Sequence, residues 1–227
     1  MVHVLDGDTV FKMYPGFGIG IPEGYDIHGI DVSRYQHNVN WTLVSKMRSE
    51  DLKIGFVFIK ATEGITLEDA KFDRNWRKSR DAGMVRGAYH FFRPGSSGQK
   101  QASFFIKRVK LKSGDLPPVL DIEIAGNHAP ADIAQKAKDW LEAVESHYGV
   151  KPIIYTNPSF YRKYLGQGFD AYPLWVAHYQ EANGPRIHRE WDFWQHNESG
   201  RVDGINAFVD FNVFVGDSAD FRAMLVR

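Results

Sequence analysis

The sequence predicts an α/β protein, a single irregular barrel of eight strands with a reduced set of helices. Three observations carry that expectation. Eight short strand-like runs are mostly continuous apolar segments, which is how strands covered on both faces read. They alternate with helical patterns through the first two thirds of the chain, as parallel strands joined by crossovers do. In the last third the connections are too short for full helices, so the closed form is a TIM-like barrel with helices missing near its end. With 227 residues the chain can hold one such domain, typically ~250 residues long.

Residues 1–27 read as an N-terminal extension and residues 28–227 as the barrel. Val2–Leu5 and Thr9–Phe11 flank the turn residues Asp6-Gly7-Asp8, a hairpin signal, and Gly16, Gly18, Gly20, Pro22 and Gly24 read as a loop into the barrel. The first barrel strand is His28–Ser33. A short helix over Trp41–Glu50 turns Val44 and Met47 inward, and Ile54–Lys60 is the second strand. Asp69–Ala82 has helical spacing, with Phe72 and Trp76 four apart and Gly83 as its stop. Val85–Phe91 is the third strand. Gln99–Leu111 is a helix with Ala102, Phe105, Ile106 and Val109 on one stripe. Pro117–Glu123 is the fourth strand. The clearest helix, Ala131–Tyr148, carries Ile133, Ala137, Trp140, Leu141 and Val144, and Gly149 ends it. Lys151–Thr156 is the fifth strand, followed by a short helical segment after Pro158. Pro173–Tyr179, Trp191–His196 and Phe208–Phe214 complete the eight, with a loop or hairpin at 200–206 before the last.

Composition narrows the function classes. Lys plus Arg and Asp plus Glu both number 28, so no net field draws the chain to nucleic acid or an anionic membrane. The absence of cysteine excludes disulfides, thiolate nucleophiles and thiolate metal sites. No apolar run approaches the ~20 residues that cross a bilayer, and residues 1–27 lack the basic-then-apolar pattern of a signal peptide. Aromatic residues make up 14%, enough for a site with stacking walls or for a large core. We expect a monomer without cofactor or metal.

The chemistry concentrates where strands end, the face on which such barrels place their sites. Asp121 and Glu123 close the fourth strand. Alternate residues of a strand share a face, so these two acids point the same way, ~6.6 Å apart at ~3.3 Å per residue. Asp31 ends the first strand, and Asp210 with Asn212 lies on the eighth. Tyr89 and His90, Tyr155 and Asn157, Trp175, His178 and Tyr179, and Trp194, Gln195 and His196 stand at the other ends. Four converging acids are not core residues, and these ends mostly lack basic partners. Lys60 is the exception and is expected to pair with Glu63. Two chemistries suit this mouth: glycoside hydrolysis by paired carboxylates between aromatic walls, or a divalent metal held by His90, His178, His196 and the acids. A third reading is a noncatalytic glycan-binding barrel.

Seven separated motifs occur together: Gly29-Ile30-Asp31-Val32-Ser33 with Tyr35-Gln36, Lys60-Ala61-Thr62-Glu63-Gly64, Gly87-Ala88-Tyr89-His90-Phe91, Asp121-Ile122-Glu123, Tyr155-Thr156-Asn157, Trp194-Gln195 and Asp210-Phe211-Asn212. In this order the chain resembles the glycoside hydrolase family 25 muramidases, the Chalaropsis-type lysozymes, over about His28–Val215. The resemblance implies hydrolysis of the β-1,4 bond between N-acetylmuramic acid and N-acetylglucosamine in peptidoglycan, and so a place outside the cell or in its envelope, or release from the cytoplasm in the manner of a phage endolysin. It also implies that Glu123 is the general acid and base. Asp121 is implied to orient the substrate's 2-acetamido group, Asp31 and Asp210 to set the surrounding charge, and Tyr155 to lie near the acetamide. Tyr89, Trp175, Tyr179 and Asn212 are expected to face the sugar. A ~6.6 Å spacing on one strand fits neither the ~5–5.5 Å of a retaining carboxylate pair nor securely the ~6.5–9.5 Å of an inverting one. Participation by the acetamide fits, which predicts net retention.

Overall fold

The computed structural model describes residues 10–179, 181 and 184–227. The hairpin expected around Asp6–Asp8 falls outside the described residues. Where a loop is expected, β1 (Phe11–Tyr14) and β2 (Ile19–Pro22) pair antiparallel, turning at Gly18 with φ of 69°. The alternation of Ile19 and Ile21 with smaller residues makes this a half-buried strand despite its glycines.

β3 (Ile27–Val32) leads to α1 (Trp41–Lys46), which stops short of the expected Glu50 because β4 (Arg48–Ser49) turns back onto β5 (Leu52–Glu63). β6 (Leu67–Glu68) extends the far end of β5. Then come α2 (Phe72–Asp81), β7 (Val85–Phe91), α3 (Gly98–Arg108) and β8 (Val119–Asp121). α4 (Pro130–Tyr148) ends at Gly149 in the left-handed conformation, φ 70°. β9 (Ile153–Thr156) is followed by α5 (Pro158–Phe160) and a π-helical turn, Tyr161–Leu165. β10 (Leu174–Ala177), β11 (Phe193–Gly200), β12 (Val209–Phe214) and α6 (Ser218–Met224) complete the chain.

The strands β3, β5, β7, β8, β9, β10, β11 and β12 close into a barrel in that order, β12 pairing back to β3. All run parallel except β12, which is antiparallel to both neighbours. Of the loop or hairpin expected at 200–206, the chain forms the hairpin. A parallel return needs a crossover of a dozen or more residues, and the eight residues 201–208 supply only a reversal. That reversal brings the start of β12, with Asp210, to the mouth where the other strands end, opposite Asp31.

Residues of one parity fill the barrel. Phe56 and Phe58, Val119, Ile153 and Tyr155, Trp175, Phe193 and Phe214 form an inner core. Gly29 and Gly87 make room for it: a Cβ at either would stand 2.4 Å or 2.6 Å from the ring of Phe56 or Phe58. Phe221 of α6 packs on Phe56 and Phe214 at the closed end, centroids 5.6 and 5.2 Å away. This helix is legible in the Asp217/Asp220 capping box, although the strand pattern gives no hint of it. Residues of the other parity pack under the helices and the hairpin, where Phe17 meets Phe211 at 5.1 Å.

Candidate active site

The same parity that fills the barrel with aromatics carries the acids to its open end. Above Phe58 on β5 comes Lys60, above Gly29 comes Asp31, above Gly87 comes Tyr89, above Val119 comes Asp121. They line a cleft of about 240 Å³ with Glu123, Tyr155, Trp175, Tyr179, Gln195 and Asp210. β8 ends at Asp121, so Glu123 lies just past the strand. Ile122 remains tied to β9 by donating its N–H to the Tyr155 carbonyl (3.0 Å), and both acids reach the cleft.

Asp31 sits at the base in a fixed cradle. Its Oδ2 accepts from Gln195 Nε2 and from Asn212 Nδ2, both at 2.8 Å. Each amide is itself locked. Gln195 Oε1 accepts from the hydroxyls of Tyr155 (2.7 Å) and Tyr179 (2.8 Å), and Asn212 Oδ1 accepts from Trp175 Nε1 (2.8 Å). Two nitrogen donors on one oxygen favour the carboxylate form of Asp31. Burial opposes them and raises its pKa, and the Asp210 carboxyl beside it is raised further, by burial and then by the charge of Asp31. Between the two, burial and the neighbouring charge thus favour a proton on Asp210 over one on Asp31.

Asp121 differs. It is buried, its Oδ1 has no hydrogen-bond partner among the described residues, and burial followed by the charge of Glu123 pushes its pKa well up. Glu123 stands at the rim, open to solvent on one side, and burial of the other side raises its pKa while Lys60 pulls it down. The neighbouring acids are not what raises it. Lys60 is held by Glu63 (Nζ to Oε2, 2.7 Å), as expected, and Arg93 braces the same carboxylate.

Tyr89, Tyr155, Trp175 and Tyr179 line the cleft, as parity predicts. Trp175 forms its floor, only 2% exposed and stacked on Phe58 at 4.3 Å, whereas Tyr179 is a 39% exposed wall. Asn212 corrects the expectation of sugar contact. It is 0% exposed, and its amide is spent on Asp31 and Trp175.

The histidines are also redistributed. His90 and His196 have the outward parity. His90 is held between Thr62 Oγ1 (2.7 Å) and Gln101 Oε1 (3.0 Å), and His196 is buried against Phe11, Trp194 and Phe211. His178 binds Glu181 at 3.1 Å. Among the described residues no three His, Asp or Glu side chains are grouped to hold a metal ion, so the geometry does not assemble the metal site considered above.

The sequence model of glycosyl hydrolases family 25 matches residues 30–205, more than three quarters of the chain. The chain belongs to this family. Among relatives, an uncharacterized Escherichia coli K12 protein, YegX, is 45% identical over 95% of this chain and 79% of its own. Lysozyme M1 of Streptomyces globisporus is 35% identical over 91% of this chain and 74% of its own. The crystal structure of a bacterial lysozyme from Streptomyces coelicolor superposes with a TM-score of 0.80 at 33% identity, covering 89% of this chain and 98% of that one. The family 25 chain is thus a glycosidase with the barrel of these enzymes. Asp210 and Asn212 lie beyond the matched residues, and the register of β12 with β3 places Asp210 at the mouth and Asn212 beneath it.

Sequence reasoning named Gln195 without giving it a role; its signal was the inward parity shared with Phe193. Tyr35, 65% exposed on the rim, and Gln36 also border the cleft and were carried only as part of a motif.

Proposed function

We propose that the protein is a peptidoglycan N-acetylmuramidase that cleaves the β-1,4 bond between N-acetylmuramic acid and N-acetylglucosamine with net retention, acting outside the cell or in its envelope. The observation that carries this reading is the unpartnered Oδ1 of buried Asp121, two residues from Glu123 in a cleft with aromatic walls. A buried acceptor without a donor is costly. The N–H of a sugar's 2-acetamido group would satisfy it.

In the free protein burial favours the proton on Asp121 over one on Glu123. An acetamide N–H donated to Asp121 stabilises its carboxylate, and substrate closing over Glu123 removes the water that stabilises its charge. Binding thus shifts the proton to the residue facing the glycosidic oxygen. Glu123 gives that proton to the leaving oxygen as the C–O bond breaks. The acetamide oxygen attacks the anomeric carbon and forms an oxazolinium ring, whose cationic nitrogen lies against Asp121. Glu123 then takes a proton from water as the water oxygen attacks the anomeric carbon, breaking its bond to the acetamide oxygen and regenerating the acetamide. Two inversions leave the configuration retained. Asp31, held as an acceptor by Gln195 and Asn212, presents negative charge at the base of the cleft and so favours the cation.

E123Q keeps size and loses the proton, so turnover of purified peptidoglycan should drop by about 10²–10⁴, the usual contribution of general acid catalysis, with unchanged binding of the glycan. Mass spectrometry of the products should show reducing-end N-acetylmuramic acid, and an NMR time course should show the β-anomer first. Undiminished turnover by E123Q would overturn the assignment. Reducing-end N-acetylglucosamine would make the enzyme a glucosaminidase, and an initial α-anomer would exclude retention.

A further inference from the structure

Beyond the rim of the cleft lies a second depression of about 520 Å³, lined by Glu123, Tyr155, Asn157, Ser159, Arg162, His178, Tyr179 and Arg186 among others. Glu123, Tyr155 and Tyr179 border both spaces, so the two form one groove with Glu123 at the junction. The halves differ in charge. The cleft holds Asp31, Asp121 and Asp210, whereas the outer half brings two guanidinium groups. Arg186 is 74% exposed and spends one edge on Glu181 (Nε to Oε2, 2.7 Å), and no carboxylate among the described residues pairs with Arg162. His178 is turned to Glu181 at 3.1 Å, and burial lowers its pKa. Arg162 rides on the π-helical turn Tyr161–Leu165, a rare geometry that is frequent at functional sites. The turn is anchored by the Tyr161 hydroxyl, which donates to Asp170 and accepts from Arg189 Nη1 at 2.8 Å.

We infer that this outer half binds a carboxylate carried by a muramic acid unit on the leaving-group side of the bond, with Arg162 and Arg186 as its specificity residues. The inference rests on the muramidase reading above. If Asp121 faces the acetamide of the sugar that is attacked, Glu123 faces the leaving oxygen, and the space beyond Glu123 receives the leaving strand. Sugars alternate in that strand, so its second unit is a muramic acid with an anionic lactyl group or an acidic peptide stem. A planar guanidinium matches a carboxylate through paired N–H donors.

The test compares kcat/KM on glycan strands with stems intact and on the same strands with every carboxyl converted to a neutral amide. Wild type should prefer the native strands, and the native-to-amidated ratio should fall about fivefold in R162A and in R186A, the size of one exposed charge pair, while R162K retains most of it. Strands stripped of stems by an amidase, which keep only the lactyl carboxylate, distinguish the two sources. With the stem attached the lactyl carboxyl is an amide, so an effect of R162A on the stemmed strands assigns the stem, and one confined to the stripped strands, compared with their own amidated form, assigns the lactyl group. An unchanged ratio in both alanine variants, on stemmed and on stripped strands alike, would overturn the inference. If wild type releases no reducing-end muramic acid from any strand, the muramidase reading itself fails instead.

Discussion

Asp31 and Asp210 show how single side chains exchange stability for chemistry. Both are acids whose pKa is raised in the fold, Asp210 more than Asp31, with burial the first cause for each. A carboxyl raised on folding binds its proton more tightly in the native state. Its contribution is therefore favourable below the ordinary carboxylate range and is lost as pH rises through the folded value. D210N keeps a donor toward Asp31 without the titration. It should stabilise the protein by ~1–2 kcal/mol at neutral pH and flatten the alkaline fall in stability, while lowering turnover. Denaturant melts across pH check this, and a neutral-pH stability equal to wild type would sink it. The buried histidines act in the opposite sense. Burial pushes His28 and His90 down to about 4 and His196 down to about 3, so the fold loses stability as pH falls below ~6.5, the range in which an unfolded histidine takes up a proton.

At the scale of the element, β7 links core to site. Its outward Arg86 is buried with Asp115 (Nε to Oδ1, 2.9 Å) and lies over the Trp76 ring, fixing the strand from outside. Its inward Gly87 leaves space for Phe58, which in turn supports Trp175 at 4.3 Å. A methyl at Gly87 would meet Phe58 at 2.6 Å and Leu116 at 3.1 Å. The ring cannot retreat without displacing the cleft floor. G87A should therefore cost ~1–3 kcal/mol by overpacking and also lower kcat/KM, because Trp175 donates to the amide that holds Asp31. A denaturant midpoint and a rate on the same sample test both, and a loss of stability with native kinetics would separate the core from the site. Gly87 was legible as part of a motif. That its missing side chain is filled by Phe58 was not, because the two residues come from different strands.

In the whole molecule, the hairpin β1–β2 is a brace across the last strands. Phe11 packs edge-on to Trp194 at 5.9 Å, and Phe17, fully buried, packs on Phe211. It covers the outer face of β11 and β12, where the chain has no room for a crossover helix. F17A should cost ~3–5 kcal/mol, as for other large-to-Ala core changes, and leave KM near native, since Phe17 faces away from the cleft. Calorimetry with kinetics at low temperature checks the pair of outcomes. A stability within about 1 kcal/mol of wild type would mean that the hairpin is not part of the cooperative fold.

Most of the strands, the stripes of the three long helices and the alternation that carries Asp31, Asp121 and Tyr155 to one end were legible in the sequence. Backbone geometry and the burial of apolar side chains act on neighbouring residues, so local spacing records them. Only the tertiary structure decided that β12 runs backwards, that His90 and His196 look outward, that Asn212 is spent on Asp31, and that Asp121 keeps one oxygen free. Each of these depends on partners far apart in the chain: Asp31 meets Gln195 and Asn212 across separations of 164 and 181 residues. Period two says which residues share a face, but closure of the barrel selects the face that looks inward. The burial that follows sets which acid holds a proton.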